Sequence, residues 1–211
     1  MNFKIIKTPV SIKIPTPDDE MTFFEDFKKI SELYWDKIQL KAGVYGYQIQ
    51  CGSRWKKGLE DAELLKFEEA MGYPFPEPLK RFYSNMNGLD RPEINISGES
   101  PVFEPKFYSF PDDLDLIMEM IDWIYKRNSI SHSEILTSGI SWIFPVYAHR
   151  FMMIDIPGNP ILSMWGDDII YWTDSISKLL IKDIFADKLD LAGDQKLRQS
   201  QREIKFWLDD F

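Results

Sequence analysis

Residues 58–90 read GLEDAELLKFEEAMGYPFPEPLKRFYSNMNGLD, and the placement of Gly and Pro within this stretch decides the fold. Glu60-Asp61 puts negative charge at the start of a helix, and Glu63 stands where a capping-box partner reaches back. Leu64, Phe67 and Met71 recur at helical spacing, and Gly72 supplies a residue that accepts a left-handed stop. Pro74 and Pro76 forbid continuation, whereas Pro78 suits the first turn of a second helix, where a missing N–H costs nothing. That helix carries Leu79, Phe82, Tyr83 and Met86 along one face and is expected to end at Asn87-Gly88. The stretch is an αα-hairpin.

Upstream, Val10, Ile12 and Ile14 alternate with Ser11 and Lys13 as in a half-buried strand, which Pro15-Thr16-Pro17 stops. Asp18 or Asp19 is placed to cap a helix whose Phe23, Phe27, Ile30 and Tyr34 form a narrow apolar stripe. Val44 to Gln50, with Tyr45, Tyr47 and Ile49 on one face, reads as another strand. Residues 1–54 are thus expected to form a strand-helix-strand extension packed on a main domain of residues 55–187.

Downstream, Ile94–Ile96 and Val102–Tyr108 are short strand candidates that Pro92, Pro101 and Pro105 confine to edges or bends. A helix at about 112–127 has one stripe of Leu114, Ile117, Met118, Ile121 and Tyr125 and a second of Leu116, Met120 and Trp123. So broad an apolar surface implies burial on two sides, or burial on one and a partner on the other. Residues 129–141 read as a polar connection.

From Trp142 the pattern becomes a β-meander of Trp142–Tyr147, Arg150–Ile156, Ile161–Trp165 and Asp168–Trp172. Gly166-Asp167 is a two-residue hairpin loop, which sets Trp165 opposite Asp168, Ser163 opposite Ile170 and Ile161 opposite Trp172. Leu162, Met164, Ile169 and Tyr171 share the face expected to meet the core. Thr173 or Asp174 is expected to cap a helix burying Ile176, Leu179, Leu180 and Ile184, and residues 188–211 to hold a C-terminal helix from about Gln195 to Leu208. Helices, then antiparallel strands, then helices make the chain α+β, an antiparallel meander packed against the αα-hairpin and further helices.

Composition narrows the function. The 211 residues carry a net charge of −9, which argues against nucleic acid and against an anionic membrane surface and suits a basic protein partner. Cys51 is the single cysteine, so neither an intrachain disulfide nor a thiolate zinc cage can form. The start, MNFKIIKTPVSIKIP, lacks the apolar core of a signal peptide, and no apolar run is long enough to span a bilayer. A cytoplasmic protein is expected; oligomeric state is not legible.

Several motifs then fall into order. Trp55-x-x-Gly58-Leu59, an acidic helix, Phe67–Pro76 as FEEAMGYPFP and Leu79–Gly88 as LKRFYSNMNG resemble the opening of the SUKH superfamily, which includes the Smi/Knr fungal cell-wall regulators. Phe107-Tyr108-Ser109 matches its middle segment. Phe144–Phe151, FPVYAHRF, is similar to the segment with proline and His-Arg of one bacterial branch, and Gly158-Asn159-Pro160, Ser163 and Asp168–Tyr171 echo that branch's closing strands. The resemblance covers residues 55–187. It departs at Glu60, where the family has Ser or Thr as helix cap, and at Leu89, where a second Gly is common. It implies protein binding without a cofactor: bacterial members act as immunity proteins against toxins, often nucleases, and fungal ones as signalling scaffolds, so an immunity protein is expected here, with an intracellular regulatory scaffold as an alternative.

Catalytic alternatives rest on few residues. His132 lies in a polar connector, and His149-Arg150 sits at a turn expected to approach Asp168 and Tyr171. His149, Arg150 and Tyr171 form a candidate polar site, and His149 with Asp168 is the pair a small hydrolase or ligand-binding protein would use. The structural alternative is a cluster fixing the hairpin, with Arg150 on a carboxylate. No nucleophile accompanies them, and Asp112-Asp113-x-Asp115 lacks the Gly and Glu of a calcium loop, so neither catalysis nor a metal is expected. The partner surface is expected at Trp165, Asp167, Asp168 and Trp172, aromatic anchors beside acidic side chains facing a basic toxin; the alternative is that the N-terminal segment covers Trp165 and Trp172.

Overall fold

A computed structural model describes residues 14–185, 204 and 206–208. In chain order the elements are α1 (Met21–Trp35), β1 (Tyr47–Gln48), β2 (Trp55–Lys57), α2 (Asp61–Met71), α3 (Glu77–Asn85), β3 (Met86–Leu89), β4 (Glu93–Asn95) and β5 (Val102–Glu104). They continue as α4 (Leu114–Arg127), α5 (His132–Ser138), β6 (Ile143–Tyr147), β7 (Arg150–Met153), β8 (Ile161–Trp165), β9 (Asp168–Thr173) and α6 (Ile176–Ile184). The strands form three antiparallel sheets of order β1-β4-β5, β2-β3 and β6-β7-β8-β9, and the fold is α+β.

The αα-hairpin is α2 and α3. The Glu60 backbone N–H donates to the Glu63 carboxylate at 2.9 Å, and Gly72 closes α2 at φ 78°. Helix α3 ends at Asn85, short of the expected Asn87-Gly88, because Met86–Leu89 turns extended to pair with β2, Trp55 opposite Leu89. Met86 is fully buried all the same. Phe67 joins the hairpin to the main sheet, its ring 5.2 Å from Tyr83, 4.4 Å from Phe110 and 5.8 Å from Phe144 of β6.

Helix α1 packs against α3 and α6, burying Phe23, Phe24, Phe27 and Trp35. Neither candidate aspartate caps it. The Asp18 carboxylate accepts the Glu20 N–H, and the Asp19 carboxylate accepts the Ser177 N–H at 2.7 Å, so Asp19 serves the start of α6 instead. Of the strand expected at Val44–Gln50 only Tyr47–Gln48 pairs, with β4, and Tyr45 stands exposed. The strand expected around Val10 and Ile12 lies outside the described residues; Ile14 is half-buried against the core.

The connection at 129–141 contains a helix, α5, that its polarity concealed. Ser131 and Glu134 form its capping box, and Ile130 and Ile135 are buried. Ser175, rather than Thr173 or Asp174, caps α6. The expected helix from Gln195 lies largely outside the described residues. At its far end Phe206 has φ 73° and Ile204 pairs with Leu208, a turn that buries Ile204 and Trp207.

In the main sheet Trp165 faces Asp168 and Ser163 faces Ile170, as expected, but Ile161 faces Thr173. Tyr171 pairs with Leu162, so Trp172 is an extra residue in β9, a bulge that frees its ring from the ladder. Both faces of the sheet bury side chains. Leu162 and Met164 are fully buried on one; Ile161 and Ser163 are buried on the other, where Phe144 meets the αα-hairpin.

Candidate functional site

Antiparallel order brings two tight turns to one end of the main sheet: Ala148-His149 between β6 and β7, and Gly166-Asp167 between β8 and β9. Ala148 (φ 46°) and Gly166 (φ 65°) are both left-handed, as such turns require. The end of α4 closes on the second turn. Asn128 Nδ2 donates to the Gly166 carbonyl at 3.0 Å, and the Arg127 guanidinium donates to Asp167 at 2.8 Å. A Cβ on Gly166 would sit 3.2 Å from Arg127 Nε, so the fit is close.

Trp165 stands at the centre of this end and is 64% exposed. Its ring is held edge-on by Trp123 of α4, centroids 5.3 Å apart, and by His149, 5.7 Å apart. Asp167 and Asp168 are exposed beside it, and the Arg127 bond holds the Asp167 carboxyl below its usual range. Along α4, Asp115, Glu119 and Asp122 are exposed on the side away from the core. A large indole is therefore presented to solvent on a braced hairpin, with Asp168 and the Arg127-paired Asp167 beside it.

Trp172 lies elsewhere, at the opposite end of β9. Its ring centroid is 3.7 Å from the Arg150 guanidinium and 3.9 Å from Lys182 Nζ, and its Nε1 donates to Asp183 at 2.9 Å. The same carboxylate accepts Arg150 Nε at 3.0 Å, while Arg150 also donates to Ser163 Oγ. The carboxylate partner of Arg150 is thus Asp183 of α6, not Asp168. Burial raises the Asp183 carboxyl against the opposing pull of Arg150.

Nor do His149, Arg150 and Tyr171 converge. Arg150 shares a row with Ser163 and Ile170, whereas Tyr171 is opposite Leu162, on the other face of the sheet. Burial, then the positive charge of Arg150 and Lys106, lowers the His149 imidazole to about 4, which leaves it neutral at neutral pH. Among the described residues no hydrogen bond or ion pair joins it to Asp168. No group of three or more His, Cys, Asp or Glu among them could hold a metal ion, and no helix among the described residues is long and apolar enough to cross a membrane.

The residues missed by sequence reasoning are Trp123, Arg127 and Asn128, which brace the Trp165 turn from α4. The signal for Trp123 was its place in the second apolar stripe of that helix. Fold and site together define an α+β domain that presents an aromatic, acidic hairpin end on a helix-braced sheet. The chain belongs to the SMI1 / KNR4 family (SUKH-1), whose model matches residues 58–190, from the Gly that opens the αα-hairpin to just beyond α6. No curated protein and no solved structure matches the chain.

Proposed function

We propose that this chain is a non-catalytic protein-binding module, an immunity protein of the cytoplasm that neutralises a cognate basic toxin by direct contact. The observation that carries the reading is Trp165, exposed at 64% yet held by Trp123 and His149 and flanked by Asp167 and Asp168. An indole immobilised before binding loses little entropy on contact, and hot spots are built from such anchors. Carboxylates around it draw in a basic surface and orient it. The mechanism is occlusion: the hairpin end covers the toxin's working surface, and no bond in the toxin changes.

The test is co-expression with the product of the adjacent open reading frame. Rescue of growth together with a co-purifying complex is the expected result; toxicity unrelieved and no complex would overturn the reading.

A further inference from the structure

The second apolar stripe of α4 is not used up by the core. Ile117, Ile121 and Ile124 are buried, while Leu116, Met120 and Trp123, spaced 4-3 along the helix, remain half-buried and lead directly to the Trp165 ring. One position behind them runs an acidic row, Asp115, Glu119 and Asp122, all exposed. Of the three, only Asp122 has an ion-pair partner among the described residues, the exposed Lys126 at 3.6 Å.

We propose that this stripe is a docking track for a basic amphipathic helix of the protein partner, which lies along α4 and ends on Trp165. The inference rests on the reading of the Trp165 end as a contact surface and extends it to a second element and a partner of defined chemistry. A helix with apolar residues at i, i+3, i+4 and i+7 matches a half-buried row at the same spacing. Lys and Arg on its flank meet the acidic row. A second copy of this chain in parallel register would set carboxylates against carboxylates; an antiparallel copy, which would set Lys126 and Arg127 against the acidic row, is the competing occupant that the test separates.

The probe is a Leu/Lys amphipathic peptide matched to the 14 residues of α4, titrated into the isotope-labelled full chain and followed by amide and indole N–H shifts. A peptide of the same composition, scrambled to lose its apolar face, is the control. Shifts are expected at Leu116, Met120, Trp123 and Trp165, with Glu119→Lys/Asp122→Lys weakening binding by about tenfold or more. Equal binding of the scrambled peptide, shifts that spare Leu116 and Met120, or self-association through the stripe would overturn the proposal. A toxin complex sensitive to Trp165→Ala but indifferent to Glu119→Lys/Asp122→Lys would also overturn it, and would leave the hairpin-end reading standing.

Discussion

Glu93 shows how a single side chain reaches the site from inside. It is 1% exposed, and its carboxylate accepts the Lys106 N–H at 2.8 Å and the Phe107 N–H at 3.2 Å. The Lys106 carbonyl in turn accepts the Ala148 N–H at 2.8 Å, so Glu93 supports the turn that carries His149. Burial pushes the Glu93 carboxyl up to about 7, against the pull of those N–H groups and of the Lys106 charge; Tyr108 and Tyr147 are the other titratable groups facing it. A folded-state value above the unfolded one favours the protonated form, so this contribution is full below about pH 4.5 and is lost as pH rises through about 7. His149, lowered to about 4, has the opposite sign: its contribution is present above about 6.5 and lost as pH falls towards 4. Glu93→Gln should therefore flatten the decline in Tm between about pH 5 and pH 8 relative to the native chain. Parallel Tm curves for the two proteins would show that Glu93 does not titrate in this range.

At the scale of elements, Gly58 fixes the crossing of β2 and α3. The Leu59 N–H donates to the Tyr83 carbonyl at 2.9 Å, and a Cβ on Gly58 would lie 1.9 Å from the Ser84 carbonyl oxygen. Backbone cannot give way as a side chain can, so Gly58→Ala should cost about 3 kcal/mol, read as a lower urea midpoint at unchanged slope. Gly43→Ala, with nothing within 4 Å, is the control and should shift stability by no more than about 0.5 kcal/mol. Equal effects would refute the close-crossing account. The αα-hairpin and the four-stranded meander were legible because their punctuation is local: Gly72, Pro76 and Gly166 act on their own neighbours. The departures arise where a distant partner decides. Met86–Leu89 is a strand only because β2 lies alongside, Asp19 accepts the N–H of Ser177, 158 residues away in the first turn of the helix that Ser175 caps, and Arg150 takes its carboxylate from α6 rather than from the adjacent hairpin. The same holds for the site. Trp165 and Asp168 could be set opposite each other from the turn between them, whereas the bracing by Trp123 and Arg127 depends on how α4 crosses the sheet.

For the molecule as a whole, charge and shape divide the work. A net charge of −9 favours encounter with a basic partner at a distance, and the acidic residues of α4 and the β8–β9 turn concentrate it near one exposed indole. Most of the other aromatic side chains are buried or half-buried, Tyr45, Phe103 and Phe206 being the exposed ones among the described residues. Trp55, for instance, packs its ring 4.7 Å from Phe107 and donates through Nε1 to Ser31 at 2.9 Å. The family's αα-hairpin thus builds the body, packed on Phe144 of the main sheet, and in the proposed reading recognition falls to the end that carries Trp165. The most direct test of that division is the kinetics of the purified complex over a range of salt concentrations. Asp167→Lys/Asp168→Lys should slow association about tenfold at low salt and reduce its salt dependence, while Trp165→Ala should speed dissociation and weaken the complex by about 2 kcal/mol or more. Association and dissociation rates unchanged in both variants would contradict the assignment of the hairpin end as the contact surface.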